Sequence, residues 1–171
     1  MKSDYVTRAK HFINQFFNSW DIAFIGENFP IIEQRIADYN FAKHRHVKFN
    51  YGMSRVAFIT SDYVIKIDYH KCWAGNCIHE YTLYQDKIKN SPYSYLFAEI
   101  TQYIYNGIAF YIMPRIYGID ENREEDVDSF LNYDEERFVR DILCIHDLHS
   151  GNYGWKNKKV VIIDYAYYEK D

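Results

Sequence analysis

Glycine and proline are scarce in this chain, seven and three among 171 residues, which excludes flexible linkers, collagen-like repeats and proline-rich tracts. Cysteine is equally sparse. Cys72, Cys77 and Cys144 are an odd set that cannot close a full disulfide framework, and a reducing compartment is the simpler expectation. No apolar run approaches the ~18 residues of a membrane span, and the opening Met-Lys-Ser-Asp-Tyr leads into an amphipathic pattern instead of a signal-type core. A soluble, cytoplasmic protein with no membrane partner is therefore expected.

Charge of one sign is also lacking over most of the sequence, and the net value is −4. Acids gather in residues 120–141, ten against three bases for a local −7, while residues 1–60 hold eight Lys/Arg against five acids, a local +3. No Lys/Arg cluster dominates a face, so a nucleic-acid footprint is not expected. The acidic segment reads either as a solvated helix face or as a surface for a basic partner.

What is present is apolar and aromatic. Hydrophobic residues make up 48% and aromatics 19%, with eighteen Tyr and twelve Phe. That composition belongs to a folded chain, and the length suits one globular unit with a real core. Val6, Ala9, Phe12, Ile13, Phe16, Phe17 and Trp20 recur at three-to-four spacing, so residues 5–20 read as an amphipathic helix. The aromatic stripe at residues 12–20 is either core or a face for a second copy of the chain. Pro30 suits the first turn of a second helix over residues 30–41, with Ile32, Ile36 and Tyr39 on one side.

The pattern then changes period. Residues 47–51, 55–60 and 63–68 are short runs of β-branched and aromatic residues separated by turn formers, which predicts three antiparallel strands. Residues 77–88 read as a helix with Ile78, Tyr81 and Ile88 inward and Asn76 as its N-cap. Two further strands, over 96–105 and 108–114, flank Asn106-Gly107, a strong hairpin signal. Asn132 with Glu135 forms a capping-box pattern ahead of a helix that buries Phe138, Val139, Ile142 and Leu143. A polar loop over 145–159 and an apolar strand, Val160 to Ile163, close the pattern at Asp164.

The chemistry concentrates at Ile145-His146-Asp147-Leu148-His149-Ser150-Gly151-Asn152, with Asp164 twelve residues further on. An acid, two imidazoles and an amide lie between a helix and a strand, and a second acid ends that strand. Phosphoryl transfer uses this inventory: one carboxylate to orient a hydroxyl and take its proton, an amide oxygen and a second carboxylate to hold Mg²⁺ against phosphates. Taken alone, Asp147 and Asn152 would also serve as turn residues. His146, Asp147 and His149 admit a metal-dependent hydrolase reading. His70, Cys72, Cys77 and His79 admit a zinc site, although neither set has an established spacing.

In this arrangement the chain resembles the protein-kinase-like superfamily, in particular its aminoglycoside- and choline-kinase-like branches. Those families carry a His-x-Asp-x-x-x-x-Asn loop, which Asp147 and Asn152 match, with His146 displaced by one position. Ile163-Asp164-Tyr165 stands where the metal-binding Asp of the family lies. Upstream, Lys66 in Val64-Ile65-Lys66-Ile67 resembles the phosphate-binding lysine on the third strand, and Glu80 in the next helix its ion-pair partner. The segment from Phe110 to Ile116 is similar to the fifth strand and hinge, where the Pro114 carbonyl and the Ile116 N–H would bond adenine. The resemblance covers residues 47–168 in the family's order.

The resemblance implies an α+β, kinase-like two-lobe fold: a five-stranded antiparallel upper sheet with one helix and a reduced helical lower lobe. Residues 1–46 would be a helical extension packed on the kinase-like unit of residues 47–171. It implies an ATP- and Mg²⁺-dependent phosphotransferase acting on a hydroxyl acceptor, with a protein among the candidate acceptors. Asp147 would be the base and His149 would steady the γ-phosphate. Lys66 held by Glu80, with Gly52 and Ser54, would grip phosphate, while Asn152 and Asp164 would bind metal. The alternative is a kinase-derived docking protein with weak or no catalysis. Departures from the pattern are the single glycine in Gly52-Met53-Ser54-Arg55 and the absence of an Ala-Pro-Glu motif after Asp164. The N-terminal helices, or a second chain, would then supply the missing support.

Overall fold

A computed structural model describes residues 4–17, 29–52, 55–68, 76–118, 130–146, 148, 150–157 and 159–165. By its internal contacts the chain divides into two compact units, Met1–Ile78 with Ile100–Arg115, and His79–Glu99 with Ile116–Asp171. None of the described helices is long and apolar enough to cross a membrane.

The first unit is a five-stranded antiparallel sheet with two helices in its core. Helix α1 (Asp4–Phe16) and helix α2 (Phe29–Lys43) precede strands β1 (Lys48–Tyr51), β2 (Arg55–Ile59) and β3 (Tyr63–Asp68). After helix α3 (Asn76–Leu83) the chain returns as β4 (Thr101–Tyr105) and β5 (Ile108–Pro114), in the sheet order β1-β2-β3-β5-β4. The period-two alternation of strands accounts for the core. Val56 faces Ile67, and Phe58 and Ile112 flank Ile65, all buried on the side that receives Ala9, Phe12, Ile13, Ile32 and Ile36 from the helices. The rings of Phe12, Phe16, Phe17 and Phe58 pack there with centroids 5.1 to 6.2 Å apart, so the described part of the 12–20 stripe is core. Asn106 and Gly107 both have positive φ, 51° and 76°, as a two-residue turn matching the sheet's twist requires.

Several expected boundaries shift. Helix α1 ends at Phe16, and residues 18–20 of the expected helix lie outside the described residues. The strand expected from residue 96 starts only at Thr101, because Ser94–Leu96 forms a tight turn and Phe97–Ile100 runs extended outside the five-stranded sheet. Asn76 is the first residue of α3, not its cap, and the Asp68 carboxylate at the end of β3 accepts the Cys77 N–H at 3.0 Å. Ile78 is 38% exposed, against expectation, since the buried face of this helix runs through Cys77, Glu80, Tyr84 and Ile88. The helix continues through Tyr84–Ile88 as a wider turn closed by the Lys89 N–H on the Tyr84 carbonyl.

The second unit contains more sheet than the helical lower part expected from the sequence. Strands β6 (Tyr117–Gly118), β7 (Tyr153–Lys156) and β8 (Lys159–Ile162) form an antiparallel sheet in that order. Strand β7 lies within the stretch expected to be loop. Gly154 is needed there, because a Cβ would come within 2.5 Å of the Tyr117 carbonyl oxygen. Asn132 caps helix α4 (Tyr133–Arg137): its side chain accepts the Asp134 and Glu135 N–H groups, and Glu135 returns to the Asn132 N–H at 2.8 Å. Beyond Arg137 the helix widens over Phe138–Ile142, which buries Phe138, Val139 and Leu143 but turns Ile142 outward, 54% exposed. The acidic residues of 119–129 lie outside the described residues.

The first unit carries a pH-dependent contribution. Burial, then the neighbouring Asp62 charge, pushes the Tyr63 phenol up to about 12. Folding thus favours the protonated ring. That contribution is complete below the ordinary tyrosine value near 10 and is lost as pH rises through about 12. The wild type is expected to lose more stability than Tyr63→Phe between pH 9 and 11.5, read from urea midpoints. Parallel losses in the two proteins would contradict this account.

Candidate functional site

Four polar or charged side chains are buried among the described residues: Lys66, Asn76, Glu80 and Asn152. Three of these are residues the sequence singles out for phosphate and metal chemistry. Burying a charge costs several kcal/mol unless the site compensates, so such positions rarely arise by default.

Lys66 lies in the middle of β3, between buried Ile65 and Ile67, and is 8% exposed. The strand register places it opposite Ala57 and Tyr111, on the sheet face away from α1 and α2. A lysine there sits among buried neighbours on a strand whose local pattern is β-branched. Gly52 is exposed at the end of β1, and its N–H donates to the Arg55 carbonyl at 2.9 Å. A Cβ there would meet only that carbonyl oxygen, at 4.0 Å, so packing does not demand glycine. Ser54 lies outside the described residues. Pro114 ends β5 opposite Tyr63, half-buried, where the ladder loses no donor it needs.

In the second unit, Glu80, Asn152 and Asp164 converge on one stretch of backbone. Glu80 is 1% exposed and its Oε1 accepts the Tyr165 N–H at 3.0 Å. The Asn152 carbonyl accepts the Ile163 N–H at 2.7 Å and the Asp164 N–H at 3.2 Å. This follows from the β7–β8 hairpin, whose register sets Tyr153 opposite Ile162 and so brings Asn152 beside the residues that follow β8. Asn152 is buried at the end of a tight turn, Ser150–Asn152, and Asp164 is half-buried. An amide and a carboxylate so placed offer hard oxygen donors, the chemistry that Mg²⁺ takes.

Tyr165 was not a candidate from the sequence, yet it ties this stretch down. Its hydroxyl donates to the Ala98 carbonyl at 2.8 Å and its ring meets Phe97 edge-on at 5.2 Å. Burial first, then the Glu80 carboxylate, holds its phenol well above the ordinary tyrosine range, so the ring stays a neutral donor. The signal available in the sequence is its position directly after Asp164.

Asp147 and His149 lie outside the described residues, as do His70 and Cys72 of the zinc reading. Around them, Ile145 and Leu148 are buried, and the His146 carbonyl accepts the Leu148 N–H at 3.1 Å and Arg140 Nη1 at 3.2 Å. Ile116 is buried at 5% exposure. Among the described residues no group of three or more His, Cys, Asp or Glu side chains forms a metal cluster. Comparison with protein-family models, with curated proteins and with solved structures finds no match to this chain.

Proposed function

We propose that this chain is an ATP- and Mg²⁺-dependent phosphotransferase that transfers the γ-phosphate to a hydroxyl acceptor. The observation that carries this reading is the burial of Lys66, Glu80 and Asn152, three of the four buried polar side chains among the described residues. The hydrogen bonds that tie Glu80 and Asn152 to the backbone at Asp164 and Tyr165 support it further. A five-stranded antiparallel sheet with Lys66 on its third strand accords with the upper sheet that the kinase-like resemblance implies.

In this reading Asp147 orients the acceptor hydroxyl and takes its proton as the bond to phosphorus forms. Lys66 balances phosphate charge from its buried position, and Glu80 stands where the resemblance puts that lysine's ion-pair partner. His149, Gly52 and Ser54 contribute donors to the phosphates, and the Pro114 carbonyl with the Ile116 N–H receives the adenine edge. Asn152 and Asp164 would hold Mg²⁺, which when bound neutralises phosphate charge.

Lys66→Met keeps the stem length and removes the charge. It is expected to weaken ATP binding in the presence of Mg²⁺ by tenfold or more in a calorimetric titration, with the far-ultraviolet circular dichroism unchanged. Binding equal to that of the wild type would remove Lys66 from the site and leave the docking-protein alternative in front.

A further inference from the structure

We propose that the first unit carries a second ligand site, a cleft for a small aromatic anion, lined by Arg45, His11, His44 and His46 over a floor of Phe12, Tyr39 and Tyr63. The cleft has a volume of about 680 Å³, within the range of small-molecule sites. Its walls come from three places: α1, the connection between α2 and β1, and the β2–β3 turn. Every residue named lies in the first unit, and none belongs to the phosphotransfer site proposed above.

The floor is apolar and aromatic: Phe12 and Tyr63 are buried and Tyr39 is half-buried. The rim carries the Arg45 guanidinium and the imidazoles of His11, His44 and His46. The one carboxylate among the described lining residues, Asp62, is already engaged by Arg8, whose Nε donates to Asp62 at 2.7 Å and which also pairs with Asp4. No carboxylate among the described residues pairs with Arg45, so its charge and the three imidazoles face the cleft without an internal counter-ion. Cations near the C-terminal end of α2 favour the helix dipole, which would explain Arg45 alone. It does not explain His11, which comes from α1.

The backbone that carries the rim is also held by hydrogen bonds. Asn40 clamps the connection by donating from Nδ2 to the Val47 carbonyl and accepting the Val47 N–H, both at 2.8 Å, while its own carbonyl accepts the Arg45 N–H at 3.0 Å. His44, directly after α2, sits at φ 49°, the left-handed conformation with which helices commonly end. On the opposite wall the Thr60 hydroxyl accepts the Tyr63 N–H at 3.0 Å and donates to the Tyr63 carbonyl at 2.9 Å. The backbone that carries Arg45 and Tyr63 is fixed in this way, which lowers the cost of ordering the site on binding. A ring against Phe12, Tyr39 and Tyr63 and an anionic group against Arg45 and the imidazoles satisfy both halves of the cleft.

Phenyl phosphate is the probe that carries both features. Titrated into the full chain under buffered conditions without Mg²⁺, it is expected to shift the imidazole C–H signals of His11, His44 and His46 together and saturably. Those of the exposed His79 and His146 should stay in place. Inorganic phosphate and phenol, each with half the features, should bind at least tenfold more weakly. Arg45 is exposed, so Arg45→Ala should keep the wild-type unfolding midpoint and lose tenfold or more in affinity. Equal movement of all five signals, or an unaltered titration in Arg45→Ala, would mean diffuse charge attraction and overturn the site, as would the absence of any shift. Asp164→Ala should leave this titration unchanged, so failure of the phosphotransfer reading and failure of this one are separable.

Discussion

Asp147→Ala is expected to lower phosphoryl transfer by roughly 10²–10⁴-fold, the usual contribution of a positioned base, while ATP affinity stays within a few-fold of the wild type. The residues that flank Asp147 are anchored independently of its carboxylate. Ile145 and Leu148 are buried on either side, and the His146 carbonyl takes the Leu148 N–H and the Arg140 guanidinium. All of these anchors survive the substitution, so the loss reports on chemistry and not on folding. Transfer is followed as phosphate release or self-labelling from γ-labelled ATP, since a generic water or hydroxyl acceptor serves before the natural one is known. Activity equal to the wild type would remove Asp147 from the mechanism.

The second large effect is on stability. Phe17 is fully buried and meets Phe110 at 4.8 Å and Phe16 and Phe58 at 5.1 Å between ring centroids. Phe17→Ala removes a ring from the centre of the first unit and leaves a cavity, a change that costs roughly 3–5 kcal/mol. Phe41→Ala is the control: that ring is 87% exposed, and its loss should stay within about 0.5 kcal/mol. Urea unfolding of both variants checks the contrast. A Phe17→Ala midpoint close to that of Phe41→Ala would mean that the aromatic cluster is not the core of the unit.

Local rules carried most of the first unit. The strands at residues 63–68 and 108–114 appear with the expected bounds, because turn formers precede runs rich in β-branched and aromatic residues. The Asn106-Gly107 turn and the Asn132–Glu135 cap are each written in two residues and appear as expected. What escaped was set by tertiary context. Strand β7 consists of Tyr153, Gly154, Trp155 and Lys156, a stretch without alternation that becomes a strand because β6 and β8 lie on its two sides. The widened turns at Tyr84–Ile88 and Phe138–Ile142 shift the helical phase, which apolar periodicity with a fixed period does not register.

The candidate site residues were read from motif order, and the burial of Lys66, Glu80 and Asn152 is what the structure adds to that reading. Apolar periodicity in α3 points to Ile78 and Tyr81, yet the buried positions are Cys77 and Glu80, so a charge occupies a place that local pattern would give to a hydrophobe. Such conflicts between local rule and observed burial concentrate at functional positions. Lys66 shows the same conflict within a β-branched strand. Tyr165 and the Asp68 carboxylate at Cys77 N–H were not legible, since each acts through a contact nine or more residues away in sequence.

The most direct measurement of the central claim is calorimetric titration of ATP into the wild type and into Asp164→Ala, each with and without Mg²⁺. The account predicts binding by the wild type that depends on Mg²⁺ and is lost in the variant. Binding that is indifferent to both the metal and Asp164, or no binding by the wild type at all, would contradict it.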